Sequence, residues 1–199
     1  MRRRLAFNRL RALALALALG SPVPAALAQA APARPARKPP GVLLDVPFIA
    51  QREKNGCGAA ALAMLMQYWE KQAAQPTAPR ADPRLIERTL DPRDRGIANT
   101  AMESYLRAAG FRVFAFSGRW ADLRQNLPKG RPLVVALAPK GGAGPLHYVV
   151  IAGIDWERNF VFVNDPAGRK LFRMARRRFL QEWQGTGNWT LLAVPKEPA

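Results

Sequence analysis

The stretch Asn55-Gly56-Cys57-Gly58-Ala59-Ala60-Ala61-Leu62-Ala63-Met64-Leu65-Met66 opens on a turn dipeptide and continues as an apolar run. Asn-Gly marks a tight turn. From Cys57 through about Lys71 the residues Ala59, Ala60, Leu62, Ala63, Leu65, Met66 and Trp69 make the segment apolar nearly all round. A helix with no polar face is a buried one, so this segment belongs near the centre of a domain. Its first residue is the single cysteine of the chain. Upstream, Val42 to Phe48 reads as a short strand and Gln51 to Gly56 as a polar turn. Downstream, Asp82-Pro83 is a helix start with proline at the first helical position, and Asp91 to Gly96 is a turn-rich loop. A further helix is expected over Thr100 to Ala109, with Thr100 as N-cap, Glu103 three residues on and Gly110 as the stop.

Beyond Gly110 the periodicity changes. Phe111 to Phe116, Leu133 to Ala138, His147 to Ile154, Phe160 to Asn164 and Trp189 to Val194 are short and rich in Val, Ile, Leu or Phe. Turn residues bound each of them, which is the pattern of strands. Helices are expected near Trp120 to Leu127 and Ala175 to Trp183. Helices concentrated in the first half and a mostly antiparallel sheet in the second predict an α+β domain. No internal repeat is found.

The 199 residues are 49% hydrophobic and 23% charged, the composition of an ordinary globular protein. One cysteine excludes an intramolecular disulfide, and one histidine excludes zinc sites built from two or three imidazoles. The basic excess is uneven. Arg2, Arg3, Arg4, Arg9 and Arg11 lead into the apolar run Ala12 to Leu19, then Gly20, Pro22, Pro24 and Ala26-Leu27-Ala28. These are the three regions of a secretory signal peptide, residues 1–28, and the apolar run is too short for a membrane span. Arg3-Arg4 also leaves a twin-arginine export route open. The protein is therefore expected to be exported, periplasmic or secreted, with no transmembrane segment in the mature chain. Removing those five arginines takes the net charge from +17 to +12, and setting aside Arg34, Arg37 and Lys38 of a Pro/Ala/Arg-rich flexible linker, residues 29–40, leaves +9 on the domain 41–199. Such a charge favours contact with an anionic envelope surface. The cluster Arg169, Lys170, Arg173, Arg176, Arg177 and Arg178 reads as a solvated strand end and helix face, because no nucleic-acid-binding motif accompanies it.

Cys57 starts a helix, where unsatisfied backbone N–H groups create a positive partial charge that favours a thiolate. His147 opens the strongest apolar strand, and Asp165 precedes Pro166 at the end of the next one. In an antiparallel hairpin centred on Trp156 these two residues lie directly opposite each other. Paired residues share a face, with Cβ atoms about 4.5–5.5 Å apart, close enough for a carboxylate to orient an imidazole. A one-residue slip puts Asn164 in that position instead. Gln51, on the turn before Cys57, could join the Cys57 backbone N–H in donating to a developing oxyanion. Gln51, Cys57, His147 and Asp165 are the parts of a thiol hydrolase.

Asp45-Val46-Pro47-Phe48-Ile49-Ala50-Gln51, Asn55-Gly56-Cys57-Gly58-Ala59, His147-Tyr148-Val149-Val150-Ile151 with Gly153-Ile154, and Asn164-Asp165-Pro166-Ala167-Gly168 together resemble the bacteriocin-processing cysteine peptidases of the papain-like superfamily. Their best-known members cut leader peptides after Gly-Gly. The resemblance implies a papain-like fold, a peptide or protein substrate, no metal or organic cofactor, Cys57 as nucleophile, His147 as base, Asp165 as orienter and Gln51 as oxyanion-hole residue. Exporter-linked members often carry Asp where this chain has Gly56, and no transporter domain is expected after Ala199. The sequence is thus more like the freestanding, exported branch. Two rivals use the same residues differently: an acyl transferase with an amine acceptor, and a module that holds a peptide or polyanion without turnover. The Gly141 to Gly144 loop is read as a hairpin turn rather than a flap.

Overall fold

A computed structural model describes residues 41–91, 93–138 and 146–196, all within the compact unit Lys38–Ala199. The expected signal peptide, the linker and the Gly141 to Gly144 loop lie outside the described residues. The elements are β1 (Gly41–Leu43), α1 (Cys57–Gln72), α2 (Pro83–Leu90), α3 (Asn99–Ala108), β2 (Phe111–Ser117), α4 (Trp120–Asn126), β3 (Leu133–Leu137), β4 (His147–Asp155), β5 (Phe160–Asn164), β6 (Phe172–Ala175), α5 (Arg176–Gln184) and β7 (Trp189–Pro195). Among the described residues seven strands form an antiparallel sheet in the order β2-β7-β3-β4-β5-β6, and β1 pairs with the C-terminal part of β4. This is the α+β architecture expected from the sequence.

Two apolar layers flank the sheet. On one face α1 packs with Tyr148, Val150, Ala152, Val134 and Ala136, while α2 packs on α1 and α3 on β2. Ala59, Ala60, Ala61 and Ala63 keep α1 thin, while Leu62, Met64, Leu65 and Met66 are fully buried, each worth about 1.5–3 kcal/mol. On the other face Phe179 and Trp183 of α5 pack against Val135, Val149, Ile151 and Val163. The two faces carry different chemistry, so the face a strand residue points to decides what it can meet.

Three elements differ from the sequence expectations. β1 ends at Leu43 rather than Phe48, because Val46 N–H turns back to the Leu44 carbonyl and Pro47 has no N–H to continue a ladder. α3 is capped by Ala98, not Thr100, and no side chain caps it. Glu103 instead pairs with Arg107 at 2.9 Å, and the Asn99 side chain accepts from Tyr148. β6 was not expected as a strand. Its alternation of Phe172 and Met174 with Arg173 and Ala175 is short and interrupted by charge, and it forms by pairing with β5.

Candidate active site

The site stands where the start of α1 meets the start of β4. Gly56 is the N-cap of α1, no side chain caps the helix, and its first turn holds no acid. The orphan N–H groups of that turn therefore present their partial positive charge at Cys57. Cys57 is 7% exposed, and its thiol lies 3.9 Å from the Leu146 carbonyl. His147 follows Leu146, and its side chain lines the same cleft as Cys57.

His147 Nε2 lies 2.6 Å from Asp165 Oδ1. The expected pair is therefore present, but not by the expected register. Asp155 pairs with Phe160, Ile154 with Val161 and Gly153 with Phe162, so the turn sits later than Trp156. Continued without a break, that register would turn Asp165 to the face opposite His147. A β-bulge at Ala152 intervenes, and beyond it Ile151 pairs with Val163 and Val150 with Asn164. The extra residue restores the parity of the two strands. Asp165 falls beside Val149, diagonal to His147 on the same face, within reach of side chains. Asn164 points the other way, fully buried, where its amide donates to the Val46 and Pro47 carbonyls and accepts from Leu171 N–H.

Burial pulls the His147 imidazole down, but the hydrogen bonds and charges of Asp165 and Cys57 outweigh it and push His147 up to about 9. Burial raises the Asp165 carboxyl, yet His147 and the Ala167 and Gly168 N–H groups hold it below its ordinary value. With Nε2 bonded to the carboxylate, Nδ1 is the ring nitrogen left for the thiol.

Gln51 is the residue that departs from expectation. Its Nε2 donates to the Glu53 and Lys54 carbonyls at 3.1 and 2.9 Å, and its Oε1 is buried without a partner. Both amide hydrogens are committed to its own loop. It nonetheless stands close to the nucleophile's neighbour, since a Cβ on Gly56 would lie 3.5 Å from Gln51 Cβ. That same Cβ would meet Glu87 Oε1 at 2.7 Å. Burial, then the carboxylates of Glu53, Asp94 and Asp91, raise the Glu87 carboxyl against the opposing charge of Arg52.

Other residues of the site were not singled out from the sequence. A cleft of about 610 Å³ at Cys57 is walled by Asn55, Ile97, Asn99, Leu146, His147 and Tyr148. Tyr148 donates to the Ile97 carbonyl at 3.1 Å and to Asn99 Oδ1 at 2.5 Å. Burial, together with the charge at Cys57, pushes its phenol up to about 12, so it stays a donor. Asn55 is tied to the loop 91–96 through Asp94, donating its backbone N–H to Oδ1 at 3.1 Å and its side-chain amide to the carbonyl at 2.7 Å. Asp91 in turn accepts from Arg95 and Gly96 N–H. The Asn55 and Asp91 signals were readable as turns, but not as one wall. A second cleft, about 860 Å³, lies behind His147 and Asp165. Among the described residues no group of His, Cys, Asp and Glu could hold a metal ion.

The sequence profile of the Peptidase_C39 like family matches residues 43–191, a span that contains every element of this site. The chain belongs to that family. Among curated proteins none matches it. A C39-like peptidase from Bacillus anthracis has a similar structure, with a TM-score of 0.63 and 20% identity, covering 79% of this chain and 99% of the other. A double-glycine-motif protease from an AMS/PCAT transporter, solved in complex with its leader peptide, gives a TM-score of 0.60 at 20% identity, covering 78% of this chain and 95% of the other. Xylellain, a cysteine protease from Xylella fastidiosa, gives 0.50 at 15% identity over 80% of this chain and 87% of its own. At these identities the likeness carries the fold, and this C39-like chain has the fold of a cysteine peptidase.

Proposed function

We propose that this chain is an exported cysteine peptidase that hydrolyses peptide bonds through Cys57, His147 and Asp165. The observation that carries the proposal is the imidazole of His147, 2.6 Å from Asp165 Oδ1, lining one cleft with Cys57 at the uncapped start of α1. The signal-peptide pattern of residues 1–28 supports export. Asp165 fixes the tautomer with hydrogen on Nε2, and Nδ1 takes the thiol proton. The thiolate attacks the substrate carbonyl, and the first-turn N–H of Cys57 donates to the oxyanion. His147 then protonates the leaving amine, and water, activated by the same imidazole, resolves the acyl-enzyme.

Gln51 is assigned the second oxyanion donor, with a condition: one amide hydrogen must leave the Glu53 or Lys54 carbonyl when substrate arrives. That engaged amide is also what favours the rival reading, a peptide-holding module without turnover. Hydrolysis of a denatured protein substrate, followed by mass spectrometry, separates the two. The parent cleaves, while Cys57→Ala and His147→Ala do not. A parent without cleavage, binding peptide equally well as Cys57→Ala, would establish the module. An added amine acceptor that appears in the products would establish acyl transfer.

A further inference from the structure

The segment Arg169 to Arg178 holds six cations and no acid, and all six are exposed. It forms the edge strand β6 and the first turn of α5. Two of the six pair with carboxylates, Arg178 with Glu182 at 2.7 Å and Lys170 with Asp45 at 3.6 Å. Four of them, Arg178 included, rest on aromatic rings. Arg169 and Arg178 lie 5.2 and 5.5 Å from the Phe172 ring centre, Arg173 lies 4.8 Å from that of Phe160, and Arg176 lies 4.9 Å from that of Trp120. Ring stacking holds a guanidinium in place while leaving its charge and its edge N–H groups available. The arrangement also runs against local stability. Three arginines occupy the first turn of α5 with no acid there, where the helix dipole already places positive partial charge.

We propose that this ridge is a docking surface for an anionic phospholipid bilayer. Arg173 lies on one side of β6 and Phe172 on the other, because their partners in the β5–β6 register, Phe162 and Val163, are successive strand residues that point to opposite faces. The charge therefore extends over both sides of the exposed sheet edge, and Phe172, Arg177 and Arg178 also line the cleft behind His147 and Asp165. The ring faces are covered by guanidinium groups, so the ridge offers no stacking platform for unpaired nucleic-acid bases. Half-buried Trp120, Phe160 and Phe172 beside arginines match the composition of a membrane interface. Among the described residues the exposed large apolar side chains are elsewhere: Phe114, for one, is on β2 at the opposite edge of the sheet. The contact is thus electrostatic at headgroup level, without insertion.

The test is co-sedimentation of the full chain with vesicles of phosphatidylcholine containing about one-third phosphatidylglycerol, against phosphatidylcholine alone. Hydrogen–deuterium exchange of residues 169–178 localises the contact. Each juxtaposed arginine contributes roughly fivefold to partitioning onto such a surface. Changing Arg169→Gln, Arg173→Gln, Arg176→Gln and Arg177→Gln together should lower binding by roughly several hundredfold and abolish the protection of 169–178. The same four positions changed to Lys retain the charge and should retain most of the binding, which separates a lost contact from a lost fold. Equal binding by the Gln variant, or no protection of the ridge on anionic vesicles, overturns the proposal. Protection by long-chain polyphosphate or duplex DNA without protection by vesicles also overturns it, in favour of a polymer-binding surface.

Discussion

Replacing Asp165 tests the electrostatic logic of the site through a group that can be watched alone, because His147 is the one histidine in the sequence. In the parent, His147 is pushed from 6.5 up to about 9 against the effect of its own burial. A rise of that size corresponds to about 3 kcal/mol of preference for the imidazolium in the folded protein. Solvent screening of side chains that are 29% and 28% exposed makes this an upper figure. Because the folded value is raised, the stabilisation is fully present below 6.5 and is lost as pH rises through about 9. Asp165 acts in the opposite sense: its lowered value contributes above the ordinary carboxylate range and is lost as pH falls. The expected experiment is an NMR titration of the His147 ring proton in the parent, in Asp165→Ala and in Cys57→Ala with Asp165→Ala. The parent midpoint should lie near 9, that of Asp165→Ala should fall, and the double variant, left with burial, should titrate below 6.5. Urea unfolding should show the parent losing up to about 3 kcal/mol between pH 6.5 and pH 9.5, and Asp165→Ala losing much less. A parent midpoint at or below 6.5, or one unmoved by Asp165→Ala, would refute the pairing.

Gln51→Ala is expected to lower kcat about 100-fold with little change in KM, the signature of a donor used in the transition state. Unchanged kcat would remove Gln51 from the chemistry. Tyr148→Phe strips the donor from the Ile97 carbonyl and Asn99 Oδ1 and should cost about 1–3 kcal/mol in chemical denaturation. Gly56 has φ −73, a value open to any residue, so Gly56→Ala should fold after a small shift of Glu87. Gly56→Asp should be the less stable of the two, because it adds a carboxylate beside a Glu87 already raised by acidic neighbours, and the gap should narrow at acidic pH. Trp183→Ala empties a fully buried position between α5 and the sheet and should cost about 3–5 kcal/mol.

The central helix, the antiparallel strands and the residue types of the site were legible because each rests on local periodicity. α1 runs from Cys57 to Gln72, close to the span its all-round apolarity indicated. β4 begins at His147 and β5 ends at Asn164, as the turn residues indicated. Local rules fix which residues lie near a strand end. They do not count the residues a strand accommodates. The bulge at Ala152 had one mark in the sequence, the glycine beside it, since a glycine inside a strand signals a bulge or a close backbone approach. Here both occur: a Cβ on Gly153 would lie 2.6 Å from the Val42 carbonyl, and the Ala152 carbonyl accepts from Leu44 N–H.

The sequence by itself determined that a lone thiol would start a buried helix and that an imidazole and a carboxylate would end adjacent strands. Tertiary structure decided the rest. Packing of β1 against β4 accompanies the bulge that turns Asp165, rather than Asn164, toward His147. The loop 51–56 closes on itself through the Gln51 amide, and the loop 91–96 comes to the cleft through Asn55 and Asp94. Each of these depends on contacts between segments distant in the chain, and periodicity carries no information about which distant backbone will supply a partner.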